Sequence, residues 1–371
     1  MDFNLSKEQE LLRDGLGKFL NTRYDLGKSR TAAKLGAGWQ PDVWRGFADE
    51  LGILGATLPE SVGGMGGGAV ELMVIAEELG RALVIEPFVG TVVVAGGLLQ
   101  RAGGAVAEAA LERIAAGTAV VALADTDAGE PARAVRDGDA WVLNGAKVVV
   151  PDAPLATHLL ITAATEGAAP QRIALFLTEF DPAAPPAGVT VHGYRTIDDR
   201  RAADLVLRDL RLPAAALLTE DAAASLEQAR DEGAAAVCAE AVGAMRKVLA
   251  DTVEYCKQRQ QFGQPIGGFQ VLQHRMVDMY MELEQAVSAA YLAVLNLDAE
   301  PATRARAVSA AKATVGRAAR FIGQNAVQLH GGMGMTEELA IGHYFKRLTA
   351  LQYEFGSTDQ HRTRYAALTR P

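Results

Sequence analysis

Cysteine is nearly absent: the 371 residues contain two, Cys238 and Cys256, 18 positions apart in what reads as one helix. That spacing offers neither a disulfide staple nor a metal-binding pattern, so both read as reduced packing residues. Clustered positive charge is missing as well. The net charge is −9 and no Lys/Arg-rich run interrupts the acidic excess, which argues against nucleic acid and anionic membrane surfaces and favours a small organic ligand. Long apolar runs are also lacking. The most apolar window, FVGTVVVAGGLL at 88 to 99, falls well short of the roughly 20 residues of a bilayer span, so no membrane segment is expected. The opening MDFNLSKEQELLRD has no cationic and then apolar blocks of a secretory signal, and a cytoplasmic location is the expectation. None of His158, His192, His274, His330, His343 and His361 lies at metal-ligand spacing to another His or Cys. No serine sits in a nucleophile elbow, so metal and acyl-enzyme chemistry find no support.

What is present is apolar content of 49% in a chain long enough for two or three domains. Ser6 and Gln9 form a capping box ahead of Leu12, Leu16, Phe19 and Leu20 at helical spacing. PDVWRGFADELGILG and AVELMVIAEELGRALV repeat that period, so residues 1–115 read as an N-terminal α-helical domain. From about 118 the pattern turns to short β-branched or alternating runs: AVVALAD, AWVLNGAKVVV, HLLITAAT, RIALFLTEF, VTVHGYR and ADLVLRDLRL. Asn144-Gly145 reads as a hairpin turn between two of them, and the Ala/Gly/Pro excess around 164 to 188 as a long hairpin connection. Residues 116–215 are therefore expected to form a middle antiparallel β-barrel. Beyond Pro213 the helical period returns. Leu272, Met276, Met279 and Leu283 make one stripe, and 227 to 257 and 301 to 330 are Ala-rich stretches of bundle length, which predicts a C-terminal four-helix bundle over 216–371. The fold class is α+β.

Four motifs bear on chemistry. GGMGGGA at 63 to 69, with Glu86 at a suggestive distance, matches the dinucleotide fingerprint in letters. It lacks the preceding strand that gives that fingerprint its mechanism, and a proline sits in GATLPESV. YCKQRQQFGQPIGGFQ at 255 to 270 ends one helix in a basic, amide-rich segment, turns at Phe262-Gly263 and Pro265, and opens another helix. Such a corner presents a guanidinium, amides and a ring to a ligand with phosphate and ring parts. QLHGGMGMTEE at 328 to 338 is a second corner, where glycines let backbone approach a ligand. LQYEFGSTDQHR at 351 to 362 places one carboxylate, Glu354, between two rings just before a glycine.

The two corners, LPESVGGMGGG and the order helices, strands, helices closely resemble acyl-CoA dehydrogenases over essentially the whole chain. Within that family DEGAAAVCAEAVGAM, GHYFKRLT and the FG plus DQH ending are most similar to the small subunit of heteromeric members of the pimeloyl-CoA type. The resemblance implies an FAD enzyme that desaturates an acyl-CoA thioester at Cα and Cβ and passes electrons to an electron-transfer flavoprotein. It implies that Arg259, Gln261 and Phe262 reach a neighbouring subunit's FAD and that Gln328, Gly331 and Gly332 form the corner against its adenosine diphosphate. It also puts Ser357 and Asp359 at FAD contacts and Asp231 at an acidic position near the substrate. A homo-oligomer, or a heterotetramer with a larger dehydrogenase subunit, follows.

The sequence departs from its relatives at the chemistry. Where a Gly-Ala-Gly-Ser-Asp type loop should wrap the flavin after VALADTD, the chain reads AGEPARA, and Ala234 stands where a CoA-binding Arg is expected. Relatives place the base at one of two sites. Ungapped counting puts Phe355 at one, with Glu354 one residue early, and Gly233 at the other, with Glu232 one residue early. Three readings follow: a partner-dependent subunit, a self-sufficient dehydrogenase using Glu232 or Glu354, and an acyl-CoA-binding module without redox chemistry.

Overall fold

The computed structural model describes residues 4–165 and 172–370. Six helices come first: α1 (Lys7–Arg23), α2 (Leu26–Leu35), α3 (Pro41–Asp49), α4 (Ala69–Arg81), α5 (Gly96–Ala102) and α6 (Gly104–Ala115), with a π-helical turn at Val89–Ala95. Eight strands follow: β1 (Val121–Ala124), β2 (Arg133–Asp137), β3 (Ala140–Pro151), β4 (His158–Thr165), β5 (Ile173–Glu179), β6 (Val189–Arg195), β7 (Arg201–Pro213) and β8 (Leu217–Thr219). The remainder is α7 (Ala223–Gln258), the two-residue strands β9 (Gln260–Gln261) and β10 (Gln264–Pro265), α8 (Gln270–Val294), α9 (Pro301–His330), α10 (Ile341–Leu351) and α11 (Thr358–Thr369). No described helix is long and apolar enough to cross a membrane.

The chain divides into two compact units, one of Met1–Leu26, Gly68–Val84 and Asp231–Pro371, the other of Gly27–Gly67 and Ile85–Arg230. In the first, the Ser6–Gln9 capping box forms as expected. Its core is an alanine seam, Ala76 of α4, Ala234, Ala235 and Ala239 of α7, Ala293 of α8 and Ala311 of α9, with Met73 and Val308 between. Small side chains let helix axes approach, and the crossing of α4 with α7 takes this furthest. A Cβ on Gly80 would lie 1.9 Å from the Glu240 carbonyl oxygen, and one on Gly243 only 1.8 Å from that of Glu77. Only glycine on both helices permits backbone to rest on backbone. Cys238 and Cys256 are both buried thiols on α7, and burial pushes Cys238 up to about 12, so it packs as a small apolar group.

In the second unit the strand order is β6-β7-β3-β2-β4-β5-β8, with β1 also on β4. This corrects the expected antiparallel barrel in two ways. The sheet is open, with β6 and β8 at its ends, and it is mixed, because β1 and β2 both run parallel to β4. The reason is local: β1 pairs with His158–Ile161 and β2 with Ala164 and Thr165, so they are successive pieces of one edge interrupted by residues 125–132. β2 itself is missing from the sequence reading, since Arg133–Asp137 is exposed at four of five positions and shows no apolar run.

The hairpin placed at Asn144-Gly145 is also corrected. β3 runs through these residues with a bulge between Leu143 and Gly145. The Asn144 side chain spans to β7 instead, donating to Asp209 Oδ1 at 3.1 Å and accepting from the Asp209 amide at 2.8 Å. Gly145 is needed because a Cβ there would lie 2.6 Å from Ala132 Cα. The chain turns at Asp137–Ala140 instead, where Gly138 has φ +61. β4 and β5 do pair antiparallel, and residues 166–171 of the expected long connection lie outside the described residues.

Candidate active site

The loop between α10 and α11 owes its shape to one buried cation. Lys312 of α9, 2% exposed, donates to the carbonyls of Leu351 at 2.9 Å, Gln352 at 3.2 Å and Gly356 at 3.0 Å. It satisfies the carbonyl end of α10, where positive charge also suits the helix dipole. Burial pulls its pKa down, yet all three ammonium protons are matched. Beside it Arg347, 3% exposed, forms two forks: one to buried Glu240 at 2.7 and 2.9 Å, the other to Glu354 at 2.5 and 3.1 Å. Glu354 is therefore the outer carboxylate of a Glu–Arg–Glu triad.

The next residue carries the larger surprise. Phe355 has φ +54, a left-handed conformation that bulky side chains disfavour. The turn is held there by His361, whose Nε2 donates to the Phe355 carbonyl at 2.8 Å, and by Gly356 N–H to Tyr353 O at 3.2 Å. Burial lowers the His361 pKa, against the pull of this bond to the Phe355 carbonyl. The outcome is that the Phe355 ring packs on α7, where a Cβ on Gly233 would lie 2.6 Å from its Cε1. Phe355 and Gly233, the two positions to which residue counting pointed for a base, are thus in contact, a ring against a glycine.

Glu232 sits beside that contact, half-buried on α7. Asp231, 1% exposed, faces inward, accepting from Arg304 Nε of α9 at 3.1 Å and from both terminal nitrogens of Arg364 of α11, at 2.5 and 3.2 Å. It ties three helices together. Ser357 caps α11 through a capping box with Gln360, and Asp359 lies exposed in its first turn.

The two corners meet each other. Phe262 and Gly263 have φ +54 and +80 between β9 and β10, the pattern of a two-residue type I′ hairpin. The turn holds Phe262 out at 90% exposure. Tyr255, at the base of this arm, stacks on His330 with ring centroids 4.3 Å apart, which sets the arm beside the end of α9. There Gly331 turns with φ +59, and a Cβ built on Gly331 or Gly332 would meet nothing within 4 Å. Arg259, Gln261 and Gln328 are exposed around this open backbone, and Arg259 has no ion-pair partner among the described residues. An unpaired guanidinium, two carboxamides, a presented ring and bare glycine backbone suit a dinucleotide carrying phosphates and an aromatic base. The arm is far from the Phe355 contact: the 25 residues from Gly233 to the end of α7 at Gln258 span about 38 Å at a rise of 1.5 Å per residue.

The β-sheet loop at 125–132 offers less. Asp125 Oδ2 is held by Arg230 at 2.8 and 3.0 Å, and Asp127 Oδ1 by Lys147 at 2.6 Å and the Ala132 amide at 2.9 Å. Its polar groups are turned on one another. The glycine run at 63 to 69 is likewise satisfied internally, with the amides of Met65, Gly66 and Gly67 donating to Gly55, Leu58 and Ala56 at 2.8–2.9 Å. Glu86 is 2% exposed and accepts from the Gln40 amide at the start of α3 at 3.0 Å.

Comparison with known proteins agrees with this architecture. The family profile described as "Acyl-CoA dehydrogenase, C-terminal domain" matches residues 224–368 and "Acyl-CoA dehydrogenase, N-terminal domain" matches residues 6–118. The chain is 31% identical over 343 residues to acyl-CoA dehydrogenase IpdE2 of Mycobacterium tuberculosis, covering 92% of this chain and 91% of that one. Among solved structures, a variant of the Tcur3481-Tcur3483 steroid ACAD superposes with a TM-score of 0.87 at 27% identity, covering 98% and 97% of the two chains. A glutaryl-CoA dehydrogenase from Mycobacterium smegmatis in complex with FADH2 gives 0.86 at 26%, covering 98% and 95%. The chain belongs to the acyl-CoA dehydrogenase family, flavoprotein oxidoreductases that act on CH–CH bonds.

Proposed function

We propose that this chain is the base-deficient subunit of a heteromeric FAD-dependent acyl-CoA dehydrogenase. It completes a flavin site across a subunit interface, while a larger partner chain supplies the carboxylate that takes the α-proton. The observation that carries this reading is the contact of Phe355 with Gly233, because a base must stand within hydrogen-bond reach of the proton it removes. A phenyl ring and a glycine cannot remove it.

Arg259, Gln261, Phe262, Gln328, Gly331 and Gly332 hold the partner's FAD at its phosphates and adenine. The length of α7 supports action in trans, since an arm some 38 Å along the helix cannot serve a pocket at Gly233 of the same chain. FAD, when bound, supplies the acceptor for the substrate's β-hydride, and an electron-transfer flavoprotein drains the electrons. Asp231 positions α7, α9 and α11 for the acyl-CoA, while Ser357 and Asp359 present the start of α11 to the cofactor. The solved neighbour's paired designation, Tcur3481-Tcur3483, accords with a two-chain enzyme.

A second reading rests on Glu232. Half-buried beside Gly233, it reaches the same pocket after a rotation of about 100° along the helix, which would make the chain self-sufficient. Affinity purification of the tagged chain from its own cells tests the choice. Recovery with a larger dehydrogenase-like chain in fixed ratio is expected, and a homo-oligomer that oxidises acyl-CoA unaided contradicts it.

A further inference from the structure

The buried charge behind Phe355 is costly to maintain and serves no contact with solvent. Lys312 directs its three ammonium protons to three carbonyls of one turn, those of Leu351, Gln352 and Gly356. Between these anchors Phe355 is held at φ +54, a conformation its side chain disfavours. Its carbonyl is pinned by His361, and its ring, only partly buried, stands on Gly233 of α7, which has no side chain to displace it. A turn needed only to connect α10 to α11 gains nothing from a strained aromatic at this point.

We propose that Lys312 is a positioning residue that fixes the 352–356 turn so that the Phe355 ring stands over Gly233. The ring is the stop that sets how bulky an acyl group this end of the pocket admits. This rests on the acyl-CoA reading above and names the specificity element of that site. Glu354 takes part only as the outer partner of Arg347. The ring occupies the space over Gly233, and no substitution at Gly233 itself can accompany it, because a Cβ there would lie 2.6 Å from the ring.

Isothermal titration of the assembled enzyme with butyryl-CoA and with 4-phenylbutyryl-CoA tests this. The two thioesters differ only by a terminal ring, and the ratio of their dissociation constants is the readout. Phe355→Gly removes the ring and leaves a residue at ease with positive φ, whereas Lys312→Met keeps the length of the side chain and removes its donors. Each is expected to shift the ratio roughly tenfold toward the ring-bearing thioester, the range by which a hydrophobic pocket discriminates size. The double variant should go no further than the larger single change, since both act through one ring.

A Lys312→Met enzyme that melts earlier with an unchanged ratio would show a merely structural lysine and overturn the proposal. An unchanged ratio in Phe355→Gly, or simple additivity of the two changes, would do the same. If Lys312→Met fails to fold, Phe355→Gly decides alone. Should the unaltered enzyme bind neither thioester, the acyl-CoA reading falls and this proposal with it, whereas binding with unaltered ratios sinks the proposal only.

Discussion

Two sets of charged and polar groups at opposite ends of α7 are treated in opposite ways. Around the Phe355 turn the buried ionic groups are paired inside the protein: Lys312 on carbonyls, Arg347 between Glu240 and Glu354, Asp231 between Arg304 and Arg364. At the far end Arg259, Gln261, Phe262 and Gln328 stand exposed around bare glycine backbone. The first set is consumed in holding a shape, and the second is left available. In a dehydrogenase acting alone the inner end would hold the free carboxylate. On the reading proposed above neither Phe355 nor Gly233 supplies it, and the outer end lies too far along α7 to do so.

The contrast can be broken by experiment, beginning at the inner end. Arg347→Met would leave Glu240 buried without its counter-charge, and urea unfolding should show a loss of about 3–5 kcal/mol. Glycine replacement at the helix crossing should come next. Gly243→Ala forces a methyl onto the Glu77 carbonyl, and a loss of about 3 kcal/mol is expected, at the upper end for overpacking.

A third effect lies in the other unit. Burial raises the Glu86 carboxyl from 4.5 to about 7, so its contribution to stability is complete below the ordinary value and is lost as pH rises through 7. Glu86→Gln should flatten the fall in stability between pH 5 and 8 by about 2 kcal/mol in a denaturation series. An unaltered pH slope would show that Glu86 is paired when charged.

Smaller still should be Glu354→Gln, at about 1 kcal/mol or less, because its side chain is 32% exposed and Arg347 keeps Glu240. Turnover of the assembled enzyme should change less than about threefold in that variant; a loss of about 10²-fold, typical of a removed general base, would restore Glu354 to the chemistry. The outer end should respond in the reverse sense. Arg259→Ala and Phe262→Ala should alter stability by no more than about 0.5 kcal/mol, yet weaken retention of FAD by the assembled enzyme roughly tenfold in equilibrium dialysis. Unchanged retention would mean that the exposed arm serves something else.

Much of the architecture was legible in the sequence because periodicity reports burial, and most elements are buried on one side. The Ser6 cap, the long Ala-rich helices and the strand runs followed directly. Errors arose where a local signal competed with a distant partner. Asn144-Gly145 has turn chemistry, but Asn144 bonds Asp209 and Gly145 yields to Ala132, both remote in sequence. The barrel expectation failed because β2 is polar and exposed, so the parallel pairings with β4 left no trace in the pattern.

At the candidate site, residue counting pointed to both Phe355 and Gly233. It could not show that they touch, since they lie 122 positions apart in the chain. Lys312 was missed although a signal was present: a lone lysine inside AVSAAKATVGRAA sits where the helix period predicts burial, and a buried cation implies dedicated acceptors. Arg347 and His361 carried no comparable sign.

The central claim is that this chain lacks a base of its own. Anaerobic addition of acyl-CoA to the flavin-loaded chain, alone and then joined with its partner, tests it through the flavin absorbance. The account predicts no bleaching by the chain alone and rapid bleaching by the assembled pair. Full and rapid bleaching by the chain alone would contradict it.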